Sequence, residues 1–342
     1  MRSCERRTTL IGAVTALTLV AAACGSDSNE ADSEPATTDA PAAEPVTTEA
    51  MEEEAMEEEA MEEEAMEEEA MEEEAMEEEA DDSIERVVSL SPTHTEIMFA
   101  IGAGDLLVAV DQFSNYPEAA LELPNELSGF EPDVEAIAAF EPDLVLIGGD
   151  FTGLGDQLND LGIASWDGPA ATSFDDTYSQ IEQLGAATGY VGEAAELVLS
   201  MQTQIAELAE AAPQPEVPLT YFHELDPSLF STTSSTFIGE VYNLFGLVNI
   251  ADELEEDAGQ FPQLSAEFLV AANPDLVFLA DTVCCGETAD TFGARDGYAD
   301  LAAVVNGNVI EMNDDIASRW GPRIVEYIEA VAAAVEAAAD TV

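Results

Sequence analysis

Glu135-Ala-Ile-Ala-Ala-Phe-Glu-Pro-Asp-Leu-Val-Leu-Ile147 and, 132 positions further on, Glu267-Phe-Leu-Val-Ala-Ala-Asn-Pro-Asp-Leu-Val-Phe-Leu279 follow one pattern. Each reads as a short amphipathic helix stopped by a proline (Pro142, Pro274), then an aspartate, then a continuous apolar strand, 144–147 and 276–279. Unbroken apolar runs of this length fit strands covered on both faces, as in a parallel sheet. A second echo, Glu96-Ile97 through Ile101-Gly102 against Glu240-Val241 through Phe245-Gly246, repeats the frame E-[IV]-x-x-x-[IF]-G. The chain therefore carries two α/β lobes of similar design, and a cleft between two such lobes is a natural ligand site.

Working outward, strands at 87–90, 106–110, 144–147 and 163–166 alternate with helices at 92–100, 134–140, 152–161 and 174–187. The alternation defines a first lobe over 84–190. A long alanine- and glutamate-rich helix over 191–214, with Val198, Met201 and Ile205 at helical spacing and Pro213 and Pro215 as its stop, links it to a second lobe over 215–342. In that lobe strands are expected at 219–223, 276–280 and 308–312, and helices at 237–244, 266–271 and 322–338.

The N-terminal part reads differently. Arg2, Arg6 and Arg7 precede an uncharged run from Thr8 to Ala23, so residues 1–23 are expected to be a signal peptide. Ala21-Ala22-Ala23-Cys24-Gly25-Ser26 resembles a lipoprotein cleavage site, which makes Cys24 the expected lipidation site and mature N-terminus. Arg6-Arg7 leaves twin-arginine export open beside the general route. Residues 24–83 follow as an acidic tether with six copies of Met-Glu-Glu-Glu-Ala from Met51 to Ala80. A five-residue period turns a helix by about 500°, so successive methionines form no stripe. With 18 glutamates in 30 residues the segment cannot bury a core and is expected to be a disordered spacer.

Charge persists beyond the tether. Of 74 acidic residues 28 precede Ile84; the remaining 46 face only Arg86, Arg295, Arg319 and Arg323, a net charge of −42, and the chain has no lysine. That balance excludes a phosphate-backbone binder. It also suits a saline habitat, in which salt screens self-repulsion; thermal stability that rises steeply towards molar salt is the expected sign. Beyond the signal the cysteines are the adjacent Cys284 and Cys285. Their Cα atoms lie about 3.8 Å apart, below the usual ~4.4–6.8 Å, so a disulfide between them is possible in an oxidising compartment but strained.

Ligands of parallel sheets lie beyond the carboxyl ends of the strands. Tyr116, Phe130, Phe151, Phe261 and Trp320 fall in loops at or near such ends, as an aromatic cleft wall or as lids over the core. The two histidines, His94 and His223, each follow or end the first strand of their lobe. They either cap turns and meet solvent, or face one another across the cleft, where a metal-binding protein or metal-dependent enzyme would use them; two ligands fall short of a dedicated site. Arg319 and Arg323 flank Trp320 and either grip an anionic group or pair with Asp314, Asp315 or Glu326. No nucleophile elbow, phosphate loop or metalloprotease motif is present, so neither catalysis nor a cofactor is expected.

Arg86-Val-Val-Ser-Leu-Ser-Pro-Thr-His-Thr-Glu96, Asn115-Tyr116-Pro117, the paired Pro-Asp-Leu-Val segments and Arg319-Trp320-Gly321-Pro322-Arg323 together resemble the iron-siderophore and cobalamin class of ABC-transporter substrate-binding proteins. The match runs from about residue 84 to the C-terminus. It implies two Rossmann-like lobes joined by a rigid helix, and capture of a metal chelate (ferric siderophore, cobalamin or haem) for an ABC permease and its ATPase. It implies a monomer held at the outer face of the cell membrane through Cys24. Glu135 and Glu267 match the acids, one per lobe, that pair with permease arginines in this family. Tyr116, and less directly Trp320, match positions that contact ligand. His94 and the Cys284-Cys285 pair depart from the family pattern.

Overall fold

The computed structural model describes residues 83–254 and 259–339, which fall in one compact unit, Glu73–Val342. The signal peptide, Cys24 and the Met-Glu-Glu-Glu-Ala repeats lie outside the described residues.

In the first lobe β1 (Val87–Ser89), β2 (Leu107–Val110), β3 (Leu144–Ile147) and β4 (Ala164–Asp167) form a parallel sheet ordered β2-β1-β3-β4. In the second, β5 (Thr220–Glu224), β6 (Val248–Asn249), β7 (Leu276–Leu279) and β8 (Val309–Glu311) repeat that order as β6-β5-β7-β8, again all parallel. The duplicated segments supply the same pieces in each lobe: α2 (Val134–Ala138) leads into β3, and α7 (Ala266–Ala272) into β7. Asp133 and Ser265 cap these helices through their first-turn amides. Proline is not the immediate stop. The residue before it, Glu141 or Asn273, turns left-handed at φ 49° and 48° respectively, and Pro142 and Pro274 then keep the chain extended into the strand.

Each sheet faces two cores. Val88, Val145 and Ile147 face a small core private to the first lobe, and Phe222, Val277 and Leu279 face its counterpart in the second. The opposite strand faces, with Val87, Leu146, Tyr221 and Phe278, join one core shared by both lobes. Into it pack α4 (Phe174–Thr188), the linking helix α5 (Val191–Ala211) and the C-terminal α12 (Ile324–Ala339). Ala194, Val198, Met201 and Ile205 form the buried stripe of α5. A continuous apolar core of this kind resists rotation of one lobe against the other.

The echoed glutamates tie the lobes together. Glu96, on α1 (Pro92–Ala100), accepts from Arg319 and Arg323 of the second lobe. Glu240, on α6 (Phe237–Asn243), accepts from the Phe174 amide of the first.

Several short elements escaped the sequence reading: β6, and the helices α8 (Thr282–Cys285), α9 (Ala289–Gly293), α10 (Ala302–Asn306) and α11 (Asp314–Ser318). Too brief to show a period, they are fixed by caps and tertiary contacts. The last helix starts at Ile324 rather than Pro322, because residues 321–323 form a turn.

Candidate functional site

A pocket of about 360 Å³ opens between the lobes. Ala171 and Thr172 of the first lobe form one wall; Ser235, Ile238, Phe261 and Trp320 of the second form the other. The hollow continues along the first lobe past Trp166 and Gly168, where Asp167 and Asp176 line it. Among the described residues the wall of the interlobe pocket has no charged side chain, although the domain around it is strongly acidic.

Behind the wall Gln180, on α4, is a hub. Its Oε1 accepts from Trp320 Nε1 at 3.0 Å and lies 3.3 Å from His94 Nε2, while its Nε2 donates to the Pro169 carbonyl at 2.7 Å. Gln180 thus fixes the indole of one lobe from the other. His94 stands edge-on to Trp166 at 4.9 Å and to Trp320 at 6.4 Å. A Cβ at Gly168 would come within 2.2 Å of the Trp166 ring and 2.7 Å of His94 Nε2, so any larger residue there would have to displace one of these rings. Gln180→Leu removes from a buried place the one acceptor that serves Trp320 and His94 and the donor to Pro169, so a loss of about 1–3 kcal/mol is expected. It should also alter the tryptophan emission of the ligand-free protein; an unchanged spectrum would mean that the hub does not hold Trp320.

The structure brings Phe261 and Trp320 together and disperses the other expected ligand residues. Tyr116 lies in a separate pocket under the Arg323 guanidinium, 4.2 Å from its ring centre. Phe130 is exposed with its ring against Phe113, and Phe151 is 92% exposed. Neither histidine caps a turn or meets solvent, for both are wholly buried. Burial lowers His94 to about 4, opposed by the Gln180 bond, and lowers His223 to about 3, so both rings are neutral at physiological pH. His223 Nδ1 is 2.7 Å from the Tyr242 hydroxyl, which accepts from Tyr327. The histidines share no partner, and among the described residues no group of three or more His, Cys, Asp or Glu is placed to hold a metal ion.

Arg319 is also inside. Its guanidinium donates to Glu96 at 2.6 Å, Asp315 at 2.7 Å, Asn115 at 3.0 Å and the Phe113 carbonyl at 3.1 Å. Arg323 donates twice to Glu96, at 2.6 and 2.8 Å. The arginine turn is therefore a clasp closed on Glu96 rather than a grip for an anion. Of the expected partners Asp315 takes part, and the central one, Glu96, lies 223 positions from Arg319. The remaining arginines are engaged as well: Arg86 donates to the carbonyls of Phe140 and Glu141 in the turn after α2, and Arg295 pairs with Glu224 and Glu287. Cys284 and Cys285 are free thiols on α8.

A family model described as periplasmic binding protein matches residues 87–316. The chain belongs to this family. An uncharacterized ABC transporter substrate-binding lipoprotein of Bacillus subtilis is 30% identical over 259 residues, 73% of this chain and 80% of that one. A cobalamin-binding protein of Halobacterium salinarum is 32% identical over 256 residues, 72% of this chain and 68% of that one. Among solved structures, the apo form of a periplasmic heme-binding protein from Roseiflexus sp. RS-1 superposes with a TM-score of 0.65 at 26% identity, covering 75% of this chain and all of that one. In this binding protein the interlobe pocket is lined by residues of both lobes, and Gln180 holds the Trp320 ring of its wall.

Glu135 and Glu267 are exposed in the first turns of α2 and α7. The duplicated segments thus place one outward carboxylate on each lobe at equivalent positions of the fold. The structure adds to the sequence reading Gln180, Glu96 and a buried group around Glu224 and Asp281. A glutamine in an amphipathic helix gives no sequence signal; Glu96 and Glu240 had one in the echoed frame.

Proposed function

We propose that this protein is the extracytoplasmic substrate-binding component of an ABC importer, and that its cleft takes a metal chelate whose buried surface is uncharged, of the corrinoid type. The observation that carries the ligand class is the wall itself: hydroxyls, an amide and aromatic rings, with no charged side chain among the described residues. Amide-rimmed corrinoids complement such groups. Haem carries carboxylates, and many ferric siderophores are anionic. Either would want a free arginine, yet all four in the domain are engaged, and the acidic surface repels anions. The cobalamin-binding relative supports the same choice.

The protein works as a monomer, anchored at the outer face of the cell membrane through a lipid on Cys24, with residues 24–83 as spacer. Glu135 and Glu267 dock the two lobes on the permease, and the ATPase is reached through that permease. The reading needs no cofactor and no chemical step.

The test is a tryptophan-fluorescence titration in molar salt with cyanocobalamin, haem and a panel of ferric siderophores. Saturable quenching by cyanocobalamin at concentrations at least tenfold below those needed for the other two classes is expected. Tighter binding of an anionic siderophore or of haem would refute the ligand class while leaving the transport role in place.

A further inference from the structure

At the carboxyl ends of β5 and β7 the second lobe buries two acidic groups. Glu224 ends β5 and pairs in register with Leu279, the last residue of β7, and Asp281 lies two residues further on as the N-cap of α8, where the two carboxyls act on one another. Both residues are 0% exposed. Arg295 clamps Glu224 through two donors and also bridges to Glu287 at 3.0 Å. Neither carboxyl oxygen of Asp281 has a hydrogen-bond donor beside it other than the Glu224 carboxyl when that group carries a proton. The charged groups acting on the pair come from every neighbouring element: Glu287 before α9, Arg295 after it, and Asp314 at the start of α11, while Tyr298 stacks near Arg295. Asp314 is held by the amides of Val283 and Cys284, so Arg295 alone offsets Glu224, Asp281 and Glu287.

An unpaired carboxylate in so dry a place is strongly disfavoured unless a metal or a proton neutralises it. No metal-holding group of three or more ligands is present among the described residues. We infer that Glu224 and Asp281 form a proton-binding site, keeping a proton in mildly acidic solution and losing it as the medium rises through neutrality, at the expense of the turn that supports the cleft wall.

Burial raises Glu224 to about 7, helped by Asp281 and Glu287 and opposed by Arg295. It raises Asp281 to about 6, with Glu287 and Asp314 adding and Glu224 and Arg295 opposing. Both folded values lie above the ordinary ones near 4. The folded state therefore binds more protons than the unfolded chain between about pH 4 and 7. The stability contributed by the pair is complete below that window and lost as the pH rises through it.

The strain of the lost proton has a path outward. The Asp281 carbonyl accepts from the amides of Cys285 and Glu287, so α8 is built on this residue. Asp314 then joins α8 to α11, whose last residue, Ser318, lines the cleft next to Trp320.

The experiment compares thermal unfolding of the full chain with Asp281→Asn from about pH 5 to 8.5, the amide standing in for the protonated acid. The melting temperature of the variant relative to the wild type should climb by several degrees as the pH rises. Parallel curves would overturn the proposal. If the variant does not fold, infrared difference spectra of the wild type labelled with 13C-aspartate decide. A protonated carboxyl band at pH 5 that disappears by pH 8 is expected; full ionisation at pH 5 would overturn the site.

Discussion

Replacing Glu135 and Glu267 together by alanine is expected to abolish ligand uptake by cells while the affinity of the purified protein stays within about twofold. The two carboxylates are exposed, one per lobe, in the first turn of helices that duplicated sequence places identically. Neither makes an ion pair among the described residues, and each lies away from the interlobe pocket wall. Within the fold each contributes only its favourable position at a helix N-terminus, about 0.3–1 kcal/mol. Stability and the cleft should therefore survive both changes, and the loss should appear only where the protein meets its permease. Paired substitution of Glu193 and Glu207, exposed acids on the linking helix, should leave uptake intact. Uptake that persists in the Glu135/Glu267 double variant would remove these acids from the docking face.

Glu96→Ala should produce the largest loss of stability. The Glu96 side chain is 2% exposed and is the acceptor shared by two arginines of the opposite lobe. Its removal leaves the buried Arg319 and Arg323 guanidinium groups close together with Asp315 as the remaining acidic partner of Arg319. Breaking a buried ion pair from one side costs about 3–5 kcal/mol, because uncompensated charge stays behind. For a domain of this size that corresponds to a fall of roughly 6–20 °C in melting temperature. Converting all three residues to apolar side chains of similar volume should recover most of the loss, since replacing a whole buried ionic group is often neutral. A triple variant as unstable as Glu96→Ala would mean that backbone packing, rather than the unpaired charge, carries the effect. Calorimetry of the three proteins at one salt concentration measures both outcomes.

The lobes, their parallel sheets and the linking helix were legible because they repeat a local code: a capped helix, a left-handed residue before proline, and an apolar strand. That code is contained in fifteen consecutive residues, 133–147 and 265–279, and needs no partner from elsewhere. The site was less legible because its residues meet across long separations. Gln180 reaches Trp320 over 140 positions and His94 over 86, and no period in the sequence announces either contact. Histidines that looked like cleft residues are interior groups, since their burial depends on the rings and strands packed around them. Arg319 shows the same limit: its concentration of charge was visible, but the buried acceptor that consumes it lay in the other lobe. Phe261 and Trp320 line the interlobe pocket, whereas Tyr116, Phe130 and Phe151, chosen by the same strand-end rule, do not, so position beyond a strand end alone does not select the residues of the wall.

The most direct measurement is equilibrium dialysis of cyanocobalamin against the wild-type protein and a Phe261→Ala/Trp320→Ala double variant. Aromatic anchors in a ligand-facing pocket typically contribute 2 kcal/mol or more, so affinity should fall by about 30-fold or more while the variant remains folded. Binding of equal strength in both proteins would place the ligand outside the interlobe pocket and contradict the account.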